Sequence, residues 1–139
     1  MAAESLDAVE LVPVELAWER AYKEAATSLA WHQAGWLLEQ IGPRFTAAGI
    51  GVRDARTVRR WRDDQTEPRD HDEQGRLQLL FRIAYAITLV YGRASVAASF
   101  LRSANPQLDD EAPLVLLATS PVDDVQRRLL AATRAFLEG

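Results

Sequence analysis

Five arginines, Arg53, Arg56, Arg59, Arg60 and Arg62, fall within ten consecutive residues of a chain whose formal net charge is −4. A guanidinium is a planar fork of donors that clamps a phosphate or the O6 and N7 acceptors of guanine. The cluster therefore points to an anionic partner and, by its density, to nucleic acid. On a helix with about 3.6 residues per turn, Val58 and Trp61 share one face while Arg56, Arg59 and Arg60 project from the other. The plainer alternative is a solvated basic face that pairs with the acids downstream of it. A pI near 5.2 weighs against a protein whose whole surface binds nucleic acid, so the location of these charges is what matters.

Enzyme and metal chemistry find little material. Cysteine is absent, which excludes disulfides, thiolate metal sites and cysteine nucleophiles together. His32 and His71 are far apart in sequence. Asp70-His71-Asp72-Glu73 has the composition of a metal cluster, but no second ligand group stands at a recognisable spacing, and the run reads as solvated linker. Asp109-Asp110-Glu111 has the composition of an acid/base pair without a neighbour to perturb its pKa values; its functional alternative is to face a basic partner surface. The four tryptophans, Trp18, Trp31, Trp36 and Trp61, read as core or interface anchors rather than base-stacking platforms. A protein without enzymatic activity, metal or cofactor is expected.

Helices must position the arginines, because apolar residues recur at three-and-four spacing and there is no alternating strand pattern or internal repeat. Residues 14–41 carry Leu16, Trp18, Tyr22, Ala25, Leu29, Trp36 and Leu37 in this way, as one helix or two, with Thr27 and Ser28 as caps of a second. Gly42-Pro43 closes the run. Residues 43–48 form a short helix, Gly49 and Gly51 a tight turn about Ile50, and Asp54 caps the arginine helix at 55–63. The clearest boundary is 63–75, where Asp63, Asp64, Glu67, Asp70, Asp72 and Glu73 accompany Pro68 and Gly75. Residues 76–91 are then apolar almost all round, which suits a helix central to a bundle or in a dimer interface. Short helices follow at 94–103 and 113–117, with a break at Asn105-Pro106 between them. Ser120 as N-cap and Pro121 at the first position open the last helix, which carries Val125, Leu129, Ala132, Phe136 and Leu137.

A chain of 139 residues, 48% hydrophobic and 26% charged, is expected to fold around a real core, as one ordinary domain or two small ones. The stretch 77–91 is interrupted by Arg82 and is shorter than the ~20 residues of a membrane span. Residues 1–7 hold Glu4 and Asp7 without the basic start and apolar run of a secretory signal. A soluble, cytoplasmic protein without a membrane partner is expected.

A short helix, a glycine turn and a basic second helix have the layout of a helix-turn-helix, whose second helix enters the major groove of DNA. The residues Gly51-Val52-Arg53-Asp54-Ala55-Arg56-Thr57-Val58-Arg59-Arg60-Trp61, with Pro68 after them, resemble the run G-V-S-x-x-T-V-x-R-W-x-x-G-x-x-x-P of the Xre/MbcA/ParS antitoxin family. That family's toxin-binding domain has an apolar helix opened by arginine-leucine, an aromatic-leucine pair, then A-N-P-x-L and P-x-x-L-L. Here stand Arg76-Leu77, Phe100-Leu101, Ala104-Asn105-Pro106-Gln107-Leu108 and Pro113-Leu114-Val115-Leu116-Leu117. The resemblance covers roughly residues 29–139. Two positions depart from it: Asp64 or Gln65 stands where glycine is common after the basic helix, and Asp54 replaces a serine cap. Aspartate caps as well as serine, but its charge beside phosphates would weaken DNA affinity.

The resemblance implies an all-α antitoxin and repressor of a type II toxin–antitoxin pair. Its parts would be an N-terminal helix-turn-helix region (1–67), a linker (68–75) and a small helical toxin-binding bundle (76–139). Operator DNA would be held by Arg53, Arg56, Thr57, Arg59, Arg60 and Arg62. A cognate toxin of the NAD-consuming RES type would meet Asn105, Pro106, Leu108, Pro113, Leu114 and Leu117, together with Arg134, Phe136, Leu137 and Glu138. Phe136 and Leu137 either insert toward the toxin's cleft or complete the core face of their own helix. A homodimer through 76–91 is expected, because so apolar a helix is hard to cover in a chain this small. Two other readings stay open: an orphan helix-turn-helix regulator without a toxin, and a structural adaptor that dimerises through 76–91 and binds no DNA.

Overall fold

The computed structural model describes residues 12–139; the segment 1–7, read above for a secretory signal, lies outside them. Among the described residues the chain is all helical, with no strand and one isolated bridge between Asn105 and Glu111. The apolar run 14–41 divides into α1 (Val14–Thr27) and α2 (Ala30–Gln40), because Ser28 and Leu29 are extended at ψ 152° and 148°. Thr27 and Ser28 do not cap α2. Their hydroxyls donate backward to the Lys23 and Glu24 carbonyls at 2.7 and 2.6 Å, closing α1 instead. Gln33 secures the junction by donating to the Ala25 carbonyl and to Ser28 Oγ, both at 3.0 Å.

The next pair is α3 (Pro43–Ile50) and α4 (Ala55–Asp64). After them α5 (His71–Tyr91) begins at His71 rather than at Arg76. Asp70 Oδ1 accepts from the Asp72 N–H at 3.0 Å, and Asp72 suits the positive end of the helix dipole. The second half of the expected linker is thus the first turn of a helix, and Pro68 ahead of it is buried. Then come α6 (Ala94–Arg102), a 3₁₀ turn (Pro106–Leu108), α7 (Pro113–Thr119) and α8 (Val122–Glu138). Ser120 does not cap α8. Pro121 sits at the cap, and the Val122 N–H finds its acceptor on another helix, Asp72 Oδ1 at 3.0 Å.

Among the described residues six helices surround α5: it packs on α1, α2, α3, α6, α7 and α8. Leu77, Leu80, Ile83, Ala84 and Ile87 are all buried within the one chain, so the reason for expecting a homodimer through this helix is removed. A single core runs from Ala21 of α1 through Val58 of α4 to Leu137 of α8. Gly49 permits the closest approach. A Cβ there would stand 2.8 Å from Leu114 Cδ1 and 3.1 Å from Leu80 Cδ2, so α3 seats directly on α5 and α7. Though α5 has 21 residues, no helix among the described residues is long and apolar enough to cross a membrane.

Candidate functional site

One face of α4 is fixed and the other is free. Asp54 caps the helix by accepting from the Arg56 N–H at 2.8 Å, while Val58 (0% exposed) and Trp61 (7%) anchor it on α2 and α3. Arg53, Arg56, Arg59, Arg60 and Arg62 are all exposed, and Thr57 is half-buried beside Val58. The five arginines are not equivalent. Arg56 Nη2 lies 3.0 Å from Asp54 Oδ2, and Arg62 Nε lies 2.8 Å from Asp63 Oδ1. The hydrogen bond from Arg56 holds the Asp54 carboxyl below the usual range, and Arg62 does the same to Asp63. Arg53, Arg59 and Arg60 form no ion pair with the described residues. An anion meets three guanidiniums directly and must draw two others away from neighbouring carboxylates.

The turn ahead of α4 is secured from α5. Gly51 takes φ +84°, which favours glycine, and a Cβ there would collide with Arg76 Nη1. Arg76 donates to the Ile50 carbonyl (3.4 Å) and the Ser120 carbonyl (3.1 Å) and pairs with Asp72 at 2.9 Å; its side chain is 16% exposed. Asp72 also accepts from the Val122 N–H. One ion pair therefore ties the turn that positions α4 to the junction of α7 and α8.

The residues expected to meet a partner protein divide by burial. Leu108, Pro113, Leu114, Leu117 and Leu137 are buried in the core, so they serve the fold and present no side chain to a partner. Asn105 caps the 3₁₀ turn, its Oδ1 accepting from the Gln107 N–H at 2.9 Å. Asn105, Pro106 and Phe136 come together at a groove of about 400 Å³ that Phe100, Ser95 and Ser99 also line. Phe136 is half-buried, its ring 5.5 Å from Tyr91 and 4.8 Å from Phe100. Of the two roles open to the end of the last helix, Leu137 has the core one and Phe136 is shared. Arg134 pairs with Glu138 at 2.8 Å and with Glu15 of α1, and lies over the Trp18 ring at 5.4 Å. The acids at 109–111 bound a tight turn, in which Asp109 and Asp110 have φ 56° and 65° and Asp109 pairs with Arg128 at 3.3 Å. Asp70 and Asp72 are engaged as caps rather than gathered with His71 around a common point.

Two features are absent from the sequence reading. One is a cleft of about 840 Å³ beside α4, where aromatic residues of α2 and α5 meet Arg59 and Arg62. The other is Arg82, whose guanidinium lies 5.5 Å from the Trp18 ring and 5.0 Å from that of Tyr22. Burial lowers its pKa, and its Nε has no hydrogen-bond partner among the described residues. Trp31 and Trp36 for the cleft and Trp18 for Arg82 were the available sign. The chain matches no protein-family model, no curated protein and no solved structure.

Proposed function

We propose that this protein is a DNA-binding repressor, and that the same chain is the antitoxin of a partner toxin. The observation that carries the first part is the division of α4. Val58 and Trp61 anchor one side, and Arg53, Arg59 and Arg60 are exposed on the other, without an ion pair among the described residues. In this reading α3, the Gly51 turn and α4 form the helix-turn-helix, with α4 as the recognition helix and its exposed arginine face toward a major groove. Arg56 and Arg62 would join by exchanging Asp54 and Asp63 for phosphate. Binding should weaken steeply with salt, because each neutralised phosphate releases counterions. The test is affinity for a fragment of the protein's own promoter across a salt series. The triple variant Arg53→Ala, Arg59→Ala, Arg60→Ala should fold normally by circular dichroism and lose most of that affinity. Unchanged affinity would end the assignment.

The antitoxin part rests on the resemblance across 76–139 and on the groove at Asn105, Pro106 and Phe136, near which the chain presents surface rather than core. A RES-type toxin is the partner the resemblance implies, occluded by this surface while α4 holds the operator. Ser99→Arg, which fills the groove from an exposed position on α6, should abolish protection of cells expressing the toxin of the adjacent gene while sparing DNA binding. Full protection by that variant would move the toxin to another surface.

A further inference from the structure

The cleft beside α4 has an aromatic wall that neither DNA binding nor toxin binding uses. Trp31 and Trp36 of α2 and Phe81 and Tyr85 of α5 form its aromatic wall. Trp36 stands edge-on to Phe81 (5.4 Å, 80°) and to Tyr85 (5.6 Å, 69°), and those two rings stack at 5.1 Å and 20°. The same cleft is lined by the guanidinium residues Arg59 and Arg62 and by the carboxylates Glu24 and Glu39. Its volume, about 840 Å³, lies within the range of sites for cofactor-sized molecules, roughly 300–1,000 Å³.

Each part of this lining selects part of a ligand. Offset and edge-on rings accept a flat heteroaromatic system. The two arginines of the lining, Arg59 and, on leaving Asp63, Arg62, match a phosphate, which their planar forks bind bidentately. Carboxylates accept the N–H groups that an amino-substituted base carries and a hydrocarbon ring lacks. We propose that this cleft binds a purine mononucleotide, its base on the aromatic wall and its phosphate at Arg59 and Arg62. Arg59 belongs to the DNA-facing stripe as well, so nucleotide and DNA draw on one guanidinium and bind in competition. The competition rests on the DNA reading; the binding site does not.

Adenosine monophosphate, adenosine and inorganic phosphate are the probes, titrated into the full chain with tryptophan emission and calorimetry as readouts. The monophosphate should give a saturable change, with adenosine about tenfold weaker, as expected for loss of a charge-assisted contact. Arg62→Gln should narrow the gap between the monophosphate and adenosine, the double variant Arg59→Gln, Arg62→Gln should close it, and Trp31→Ala should weaken both equally. Saturating monophosphate should raise the apparent Kd for promoter DNA. No saturable response, a response equalled by inorganic phosphate, or indifference to Arg62→Gln would each overturn the site. Nucleotide binding in a chain that binds no DNA would support the site while ending the repressor reading. Nucleotide binding that leaves DNA affinity unchanged would overturn the shared use of Arg59.

Discussion

The arginines of α4 and of α5 bring the same charge into opposite surroundings. On α4 the guanidiniums face water, because the buried apolar anchors, Val58 and Trp61, lie on the far side of the helix. On α5 apolar residues surround the axis, so Arg76 and Arg82 are drawn inward and must be satisfied by the protein itself. Arg76 uses two carbonyls and Asp72; Arg82 lies against two aromatic rings. The residue type does not decide between recognition and architecture. Its angle to the nearest apolar anchors does, and that angle is local on α4 and non-local on α5.

The strongest way to break this comparison is to remove the inward arginine. Arg76→Met keeps the stem but leaves Asp72 and the carbonyls of Ile50 and Ser120 without their donor. It should lower unfolding stability by about 3 kcal/mol, in the range for breaking a largely buried pair. Arg60→Ala, on the water-facing stripe, should change it by less than about 0.5 kcal/mol. Urea denaturation of the two variants gives both numbers, and similar losses would erase the distinction. Gly51→Ala crowds the same guanidinium, so combined with Arg76→Met it should cost less than the two changes added.

The converse holds for DNA. Arg59→Ala or Arg60→Ala should each weaken promoter binding by about 1–3 kcal/mol if the residue reads a guanine, or lower the salt slope by about one if it holds a phosphate. Arg56→Ala should cost less than either, since its guanidinium is already engaged by Asp54 at 3.0 Å. Fluorescence anisotropy with a labelled promoter fragment ranks the three. An Arg56 loss equal to that of Arg60 would mean that the Asp54 pair does not persist in solution.

The division of α4 was legible because everything that makes it is within eleven residues: the Asp54 cap, the three-residue step from Val58 to Trp61, and the arginines between. All-helical architecture followed from periodicity for the same reason. What stayed hidden depends on residues distant in sequence. The acids at 70–73 look like linker until Asp70 and Asp72 are seen to cap one helix from within and another from 50 residues away. The leucines at 108, 114 and 117 stand in a motif matched to partner binding, but only the packing of α3, α7 and α8 reveals that they are core. The aromatic cleft needs Trp36 to meet Phe81 and Tyr85 across two helices, and no local spacing announces it.

A gentler change sharpens the comparison from the α4 side. Asp54→Asn keeps a competent cap while removing the carboxylate that holds Arg56 and a negative charge at the start of the arginine helix. DNA affinity should rise about three- to tenfold, near 1 kcal/mol, with stability changed by less than about 0.5 kcal/mol. Paired measurements of promoter affinity and urea midpoint check it. An unchanged affinity would show that Asp54 is too far from the DNA, and Arg56 too weakly held, for the pair to restrain binding.

The smallest effect concerns the field around the inward arginine. Glu73, in the first turn of α5, has its pKa raised, mainly by burial and then by the charge of Asp70, against a lowering contribution from Arg76. A carboxyl whose folded pKa lies above its unfolded value binds protons more tightly in the folded chain. Its contribution to stability therefore falls as pH rises through the carboxylate range, and the full cost is present at neutral pH. Glu73→Gln should accordingly stabilise the protein near neutrality by no more than about 0.5 kcal/mol, given its partial exposure. Below the carboxylate range, where Glu73 is protonated, the two proteins should unfold alike. Urea denaturation in both pH regimes makes the test. Destabilisation at neutral pH would mean that Arg76 and the dipole of α5 hold the Glu73 charge favourably, and that Arg76 draws on a second carboxylate beyond Asp72.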